Sequence, residues 1–546
     1  MKIQIPSFSR WRDGLTLPPD GWTLAGLLLF YVLAGLFGHD PWRGEDAVHL
    51  SAAFDILNRQ DWLTLDLGGR PFHEPPLYYW TAAILGKLLG GLIPLHDAMR
   101  LASGLWVALA LTGLYYAARE SFGQGSAAAA PLLLAGSMGL VVHAHHAQPM
   151  LVGMAAMAGA LGALEAWKRK PTLGMVFYGL SMAGALLGAG WVPAIPVLCL
   201  GVLAWGFNRL PRPEIGRLFL SYSLAFGFFA FWAWALYEAE PARWTALWSK
   251  QWLPWLSNTH PLRSLADNLG LLVWFGWPAW PVALWTMWRL RRRMAERHAL
   301  TMPFVAFVLA LCVMSLSYED KEVVGILLLP PLALLGTPGI LNLRRGAASA
   351  LDWLSRTTFT LFAVFVWLGW SAMVFGWPEA LARRAIELEP GFVGTFSLPW
   401  FLLALSVSVF WGWLMSTSVR SPYRSLAHWT AGLTTLWLLL ASLWLPWVDY
   451  GNSYRGVAAQ LQKQLGRKPG CVAERHLGDT QRASFSYFAG LQLIPAGNVR
   501  AQACRWLLVQ GRADQAVSVG GDWVKVWEGH RQRPRKEMFF LYRQKN

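Results

Sequence analysis

Apolar stretches of about twenty residues recur along most of this chain, separated by short polar segments. Each is long enough to cross a hydrocarbon core as a helix. The first covers Trp22 to Gly38, and the others fall at 99–118, 126–142, 150–167, 172–189, 191–207, 218–236, 269–288, 301–317, 323–342, 357–376, 397–415 and 426–446. The pattern predicts about thirteen transmembrane helices over residues 1–448, an all-α polytopic membrane domain.

Two regions break the pattern. Residues 39–97 form a long polar loop with two expected helices. One follows Glu45–Asp46, with Leu50, Phe54 and Leu57 at helical spacing. The other starts at Glu74-Pro75-Pro76 and carries the apolar run from Leu77 to Leu92. The tail, 449–546, reads as a small α/β domain. Its helix is Tyr454 to Leu465, with strands near Gly470–Ala473, Trp506–Gln510 and Trp523–Trp527. A shorter polar segment runs from Glu238 to Asp267.

Composition agrees with a membrane chain. Of 546 residues, 55% are hydrophobic and 14% charged, and many of the 34 Trp flank apolar runs, where indole favours the interface. The net charge of +16 raises the question of nucleic acid. Its distribution answers it: Lys168-Arg169-Lys170, Arg209, Arg212, Arg217, Arg289 to Arg297, Arg344-Arg345 and Arg420 lie in alternate short loops, as the positive-inside rule requires. This places residues 1–20 in the cytoplasm, and the 39–97 loop and the C-terminal tail in the periplasm of an inner-membrane protein. The first apolar run lacks a small-residue cleavage site, so no cleaved signal peptide is expected. Cys199 and Cys312 lie within spans. Cys471 and Cys504 lie in the tail, where an oxidising compartment would permit a disulfide.

Chemistry concentrates in the first loop, which holds Glu45, Asp46, Asp55, Glu74, Arg59 and Arg70. Charge this dense beside a bilayer marks a functional region. Glu45 and Asp46 open a helix, where capping alone accounts for carboxylates. Equally, one of them suits a general base that takes the proton of an attacking hydroxyl, and adjacent carboxylates raise one another's pKa.

The sequence Glu45-Asp46, then Arg59-Gln60-Asp61-Trp62, then Phe72-His73-Glu74-Pro75-Pro76-Leu77-Tyr78-Tyr79-Trp80 resembles the first periplasmic loop of the GT-C glycosyltransferases. In particular it is similar to that of the lipid A aminoarabinose transferases, with protein O-mannosyltransferases more distant. The resemblance extends to the outward segment around His260, the Lys321…Pro330-Pro331 stretch and the small C-terminal domain. It implies an inverting transferase that takes a sugar from a polyprenyl-phosphate donor to lipid A or another envelope acceptor. Glu45 corresponds to the family's first-loop acid, or Asp46 in a register shifted by one.

The resemblance also implies a divalent metal, with Glu74, His260 and His476 at the ligand positions. Carboxylate plus imidazole is an acceptable zinc set. A departing phosphate needs positive charge, for which the outward candidates are Lys321, Arg59, Arg70 and Arg263, with Arg243, Lys250 and Arg455 behind them. Two positions depart from the family pattern: Gln148 stands where an acid precedes a small apolar residue, and Pro75 where a Lys follows the loop glutamate. Next to Gln148, His145 and His146 are candidates for a polar site, and His143 for a helix end. The competing classes are a lipid-linked-sugar flippase and a non-catalytic lipid-binding relative. Nearly charge-free span interiors weigh against ion-coupled transport.

Overall fold

The computed structural model describes residues 21–257, 260–291, 298–317, 320–418, 421–466, 470–512, 519–520, 522–531 and 537–545. The basic lead-in over 1–20 lies outside the described residues. Helix occupies each expected span, and this is a multi-pass membrane protein. Among the described residues nine helices are long and apolar enough to cross a membrane, or ten if one bent pair is a single span. The other expected spans differ from the simple pattern in three ways. Gly21–Leu33 and Trp191–Gly206 are apolar but short. Pro261–Phe275 and Ala279–Leu290 meet at 107°. The 126–142 run divides into Ala129–Ala135 and Met138–His143. A count of thirteen full crossings is therefore not what the helix lengths give.

Two of these irregularities have a packing cause. Between the two short helices the Gly136 carbonyl accepts from the Trp429 indole at 2.8 Å, and Ser137 Oγ–H turns back to the Leu133 carbonyl at 2.9 Å. A partner indole thus takes the place of a continued helical bond. The first helix stops at Leu33, and the chain from 34 to 40 leaves carbonyls without intrahelical donors. The Trp437 indole satisfies Ala34, and the buried Arg100 guanidinium satisfies Leu36, His39 and Asp40 at 3.2–3.3 Å. Met150–Trp167 and the helical stretch Lys321–Leu341 form the buried centre of the bundle, while Leu398–Thr417 lies at its margin.

The long polar loop over residues 39–97 folds on the bundle. The helix Glu45–Arg59 buries Leu50, Ala53 and Ile56 against Tyr78, Tyr79, Ala82 and Ala83 of the helix Leu77–Leu89, and Met99 and Ala102 of Leu95–Phe122. Between the two loop helices, β1 (Asp66–Leu67) and β2 (Arg70–Pro71) make a small hairpin. Gly68 and Gly69 turn it with φ of +57° and +89°, which only glycine adopts readily.

The tail begins with the helix Arg455–Leu465 and forms a five-stranded sheet. Its strands are β3 (Cys471–Arg475), β4 (Gln492–Pro495), β5 (Trp506–Gly511), β6 (Trp523–His530) and β7 (Met538–Gln544). The order is β4-β3-β5-β7-β6, with β3 parallel to β4 and β5 and the β5-β7 and β7-β6 pairs antiparallel. A second helix, Asp479–Ala489, connects β3 to β4. Cys471 and Cys504 are disulfide-bonded, with Cα atoms 5.3 Å apart. The hairpin tip presses into this unit: a Cβ on Gly69 would meet the Leu493 carbonyl at 3.1 Å.

Candidate active site

Glu45 and Asp46 share the first turn of one helix but point to different surroundings. Asp46 is 2% exposed and accepts four hydrogen bonds. Arg100 Nη2 reaches it at 3.0 Å and Arg100 Nε at 3.3 Å, with the Ala147 N–H at 2.8 Å and the Trp42 N–H at 3.1 Å. Burial alone would raise its carboxyl, but the adjacent Arg100 guanidinium outweighs that and holds it far below the usual range. Asp46 is thus an ionised structural carboxylate tying three segments together, with no lone pair left for substrate.

Glu45 is 64% exposed. His49, one turn on, places Nε2 at 2.7 Å from Glu45 Oε2 and Nδ1 at 2.8 Å from the buried Tyr79 hydroxyl. A carboxylate can only accept, so Nε2–H donates to Glu45 and, in the neutral ring, Nδ1 accepts from Tyr79. The hydrogen bond from His49 lowers the Glu45 carboxyl below its ordinary value; burial opposes this, and nearby Lys250 and His143 add to it. The outcome is an ionised, oriented and solvent-facing carboxylate.

The helix Pro241–Ser257 covers this region. Lys250 donates to Glu74 at 2.6 Å and stands 5.4 Å over the Phe72 ring, and Arg243 pairs with Asp66 at 2.7 Å. Of the expected phosphate ligands, Arg59 pairs with that same Asp66. Lys321 pairs with Asp267 at 2.7 Å, and Arg263 is exposed one turn before Asp267. Arg70 lies elsewhere, 3.8 Å from Asp479 of the tail. These cations form separate clusters, and Lys250 has the closest electrostatic link to Glu45.

The expected metal ligands do not assemble. Among the described residues no group of three or more His, Cys, Asp and Glu is placed to hold a metal ion. Glu74 is engaged by Lys250. His260 precedes the helix Pro261–Phe275 as its N-cap, and His476 lines a cavity with Arg70, Arg475 and Arg482. Guanidiniums there repel a cation. The residues present do not fit the metal.

His145 and His146 also separate. The His145 ring is fully buried, its nitrogens on the Val141 and Tyr31 carbonyls and its face stacked on Trp437 at 5.1 Å. It is a packing residue, which corrects its expected polar-site role. The His146 ring lies 5.5 Å from Trp42 on the Asp46 side. Gln148 is buried, and its Oε1 accepts from the Met150 N–H at 3.3 Å.

No family model and no curated protein matches the chain. Solved structures do. ArnT from Cupriavidus metallidurans bound to undecaprenyl phosphate superposes with a TM-score of 0.70 at 17% identity, over 96% of this chain and 98% of that one. Its apo state gives 0.66 at 16% identity, over 95% and 96%. The chain has the ArnT fold. The GT-C resemblance of the first loop thus holds for the architecture of the whole chain.

Proposed function

We propose that this protein is an inverting glycosyltransferase of the inner membrane. It moves a sugar from a polyprenyl-phosphate donor to lipid A or another envelope acceptor on the periplasmic side. The single observation that carries this reading is the Glu45–His49–Tyr79 chain at the outward end of an ArnT-like bundle. Glu45 accepts the acceptor hydroxyl's proton as that oxygen bonds to the anomeric carbon. The bond from that carbon to the phosphate oxygen breaks from the opposite face, and polyprenyl phosphate departs with the bonding pair. Lys250 is the cation best placed to stabilise that phosphate, with Lys321 on the neighbouring rim. Asp46, the alternative base, fixes the loop instead. In this reading the tail, 449–546, is a periplasmic domain with its disulfide in an oxidising compartment.

The ArnT structure bound to undecaprenyl phosphate supports the donor class. The test is transfer of labelled sugar from polyprenyl-phosphate donors in membranes holding matched amounts of native and Glu45→Gln protein. The variant should lose at least a hundredfold in rate, in the range general bases supply. Native membranes that transfer nothing from any donor would move the case to the flippase and the non-catalytic lipid-binding readings together.

A further inference from the structure

We infer that the seam between the β1–β2 hairpin and the tail is a binding site for a phosphomonoester. It goes beyond the transfer chemistry and uses residues that chemistry does not need. The seam is an open cavity of about 550 Å³ lined by Arg70 of the first loop and by Glu474, Arg475, His476, Arg482 and residues 495–497 of the tail. It lies where β3 and β4 both end, at Arg475 and Pro495. In sheets of parallel strands the carboxyl ends are where ligands bind, and β3 and β4 are a parallel pair.

The charges divide into a fixed wall and two movable arms. Arg482 is 1% exposed, held by Glu474 and the Leu493 carbonyl, and its Nε has no hydrogen-bond partner. Glu474 is spent in turn, on Arg482 and the Leu477 N–H. Arg70 is 58% exposed and meets Asp479 only at 3.8 Å, a contact an incoming anion can displace. Among the described residues no carboxylate pairs with Arg475, whose side chain is half-buried beside the cavity. His476 follows with φ of +63°, which turns the chain from β3 towards the helix Asp479–Ala489, whose positive dipole end lies next to the cavity. Three guanidiniums converging on one space match a dianionic phosphate better than a carboxylate or a metal ion.

The test uses the full-length protein in detergent without donor, titrated with phosphatidic acid in mixed micelles, with diacylglycerol as the uncharged control and inorganic phosphate as a second probe. Phosphatidic acid should bind and diacylglycerol should not. Arg475→Gln and Arg70→Gln should each weaken binding at least tenfold, with melting temperatures unchanged, and Arg475→Lys should retain most of it. Tighter binding of phosphatidic acid than of inorganic phosphate assigns the site to a lipid headgroup, and equal binding assigns it to free phosphate; either supports a phosphate site. Binding that survives both Gln substitutions, or falls as far in the distant surface variant Arg384→Gln, overturns the inference. Glu45→Gln should bind like the native chain, so failure here and failure of the transfer reading are separately visible.

Discussion

Glu45 and Asp46 are neighbours whose side chains diverge because successive helical residues turn by about 100° around the axis. One turn sends Asp46 into the bundle and leaves Glu45 outside. The sequence shows two acids at a helix start but not which faces inward, since that depends on Arg100, 54 residues on. Arg100 itself was readable as an ionisable residue at the mouth of an apolar span, which by default has a partner. The cations were harder. Nothing in the spacing tells that Arg59 is taken by Asp66, or Lys321 by Asp267. The pair His49 and Tyr79 was likewise hidden, although the i,i+4 spacing of Glu45 and His49 was a usable signal. His49 is also where a sharp prediction arises. Its hydrogen bond is the largest influence lowering the Glu45 carboxyl, so the proposed base stays ionised to lower pH than an ordinary glutamate. In His49→Ala that carboxyl should rise towards its usual value, and the acid limb of kcat/KM should move to higher pH. An unshifted acid limb with a uniformly lower rate would show that His49 does not set the ionisation of the base.

Periodicity identified both loop helices, the helix Arg455–Leu465 and three of the five tail strands. It missed β4, which is four residues long, β7 (Met538–Gln544), and the helix Asp479–Ala489, whose polar first turn hides its apolar face. The break at Gly136 was invisible because a contact from the distant Trp429 indole accompanies it, whereas the bend near Gly276 falls at Gly276-Trp277-Pro278, whose glycine and proline are breaker residues. Within the first loop, Asp55 links the helix Glu45–Arg59 to the hairpin by accepting the Gly68 N–H at 2.8 Å. Burial pushes its carboxyl up to about 6 from 3.8, against the opposing pull of that hydrogen bond and of Arg59. A carboxyl raised in the fold is bound to a proton in the folded state when the unfolded chain has lost it. Stability therefore falls as pH rises from about 4 to about 6 and is level above that. The raised value corresponds to about 3 kcal/mol. Asp55→Asn keeps an oxygen for Gly68 and removes the ionisation, so its apparent melting temperature should exceed the native one at pH 7.5 and converge with it near pH 4. Parallel melting curves across this range would show that Asp55 does not titrate with folding.

At the scale of the whole molecule, the tail is fastened to the loop that carries Glu45. Arg455 Nε lies 2.9 Å from Asp40 Oδ2, Ser453 Oγ–H donates to the same oxygen at 2.6 Å, and the Arg455 guanidinium sits 4.9 Å over the Phe488 ring. Alongside, Tyr487 hydrogen-bonds His96 at 3.0 Å and packs edge-on against Phe54 at 5.1 Å. Burial would raise the Asp40 carboxyl, but Arg455 and Ser453 reverse that and keep it ionised. Asp40 is buried while Arg455 is more than half exposed, so the two ends of the pair are not equivalent. Arg455→Gln leaves a buried charged carboxylate without its guanidinium and should destabilise strongly; Asp40→Asn leaves a solvated guanidinium and should cost less. The double variant Asp40→Asn/Arg455→Gln removes the orphaned charge and should therefore be more stable than Arg455→Gln alone. In a double-mutant cycle read by thermal unfolding, the coupling should be about 1–3 kcal/mol. Limited proteolysis should release the tail faster from Arg455→Gln than from either other variant, because the tail then has the weakest hold on the loop. Strictly additive losses would mean the pair is an exposed surface contact, and that the ring packing of Tyr487 and Phe488 and the hairpin contacts hold the tail on the loop without it.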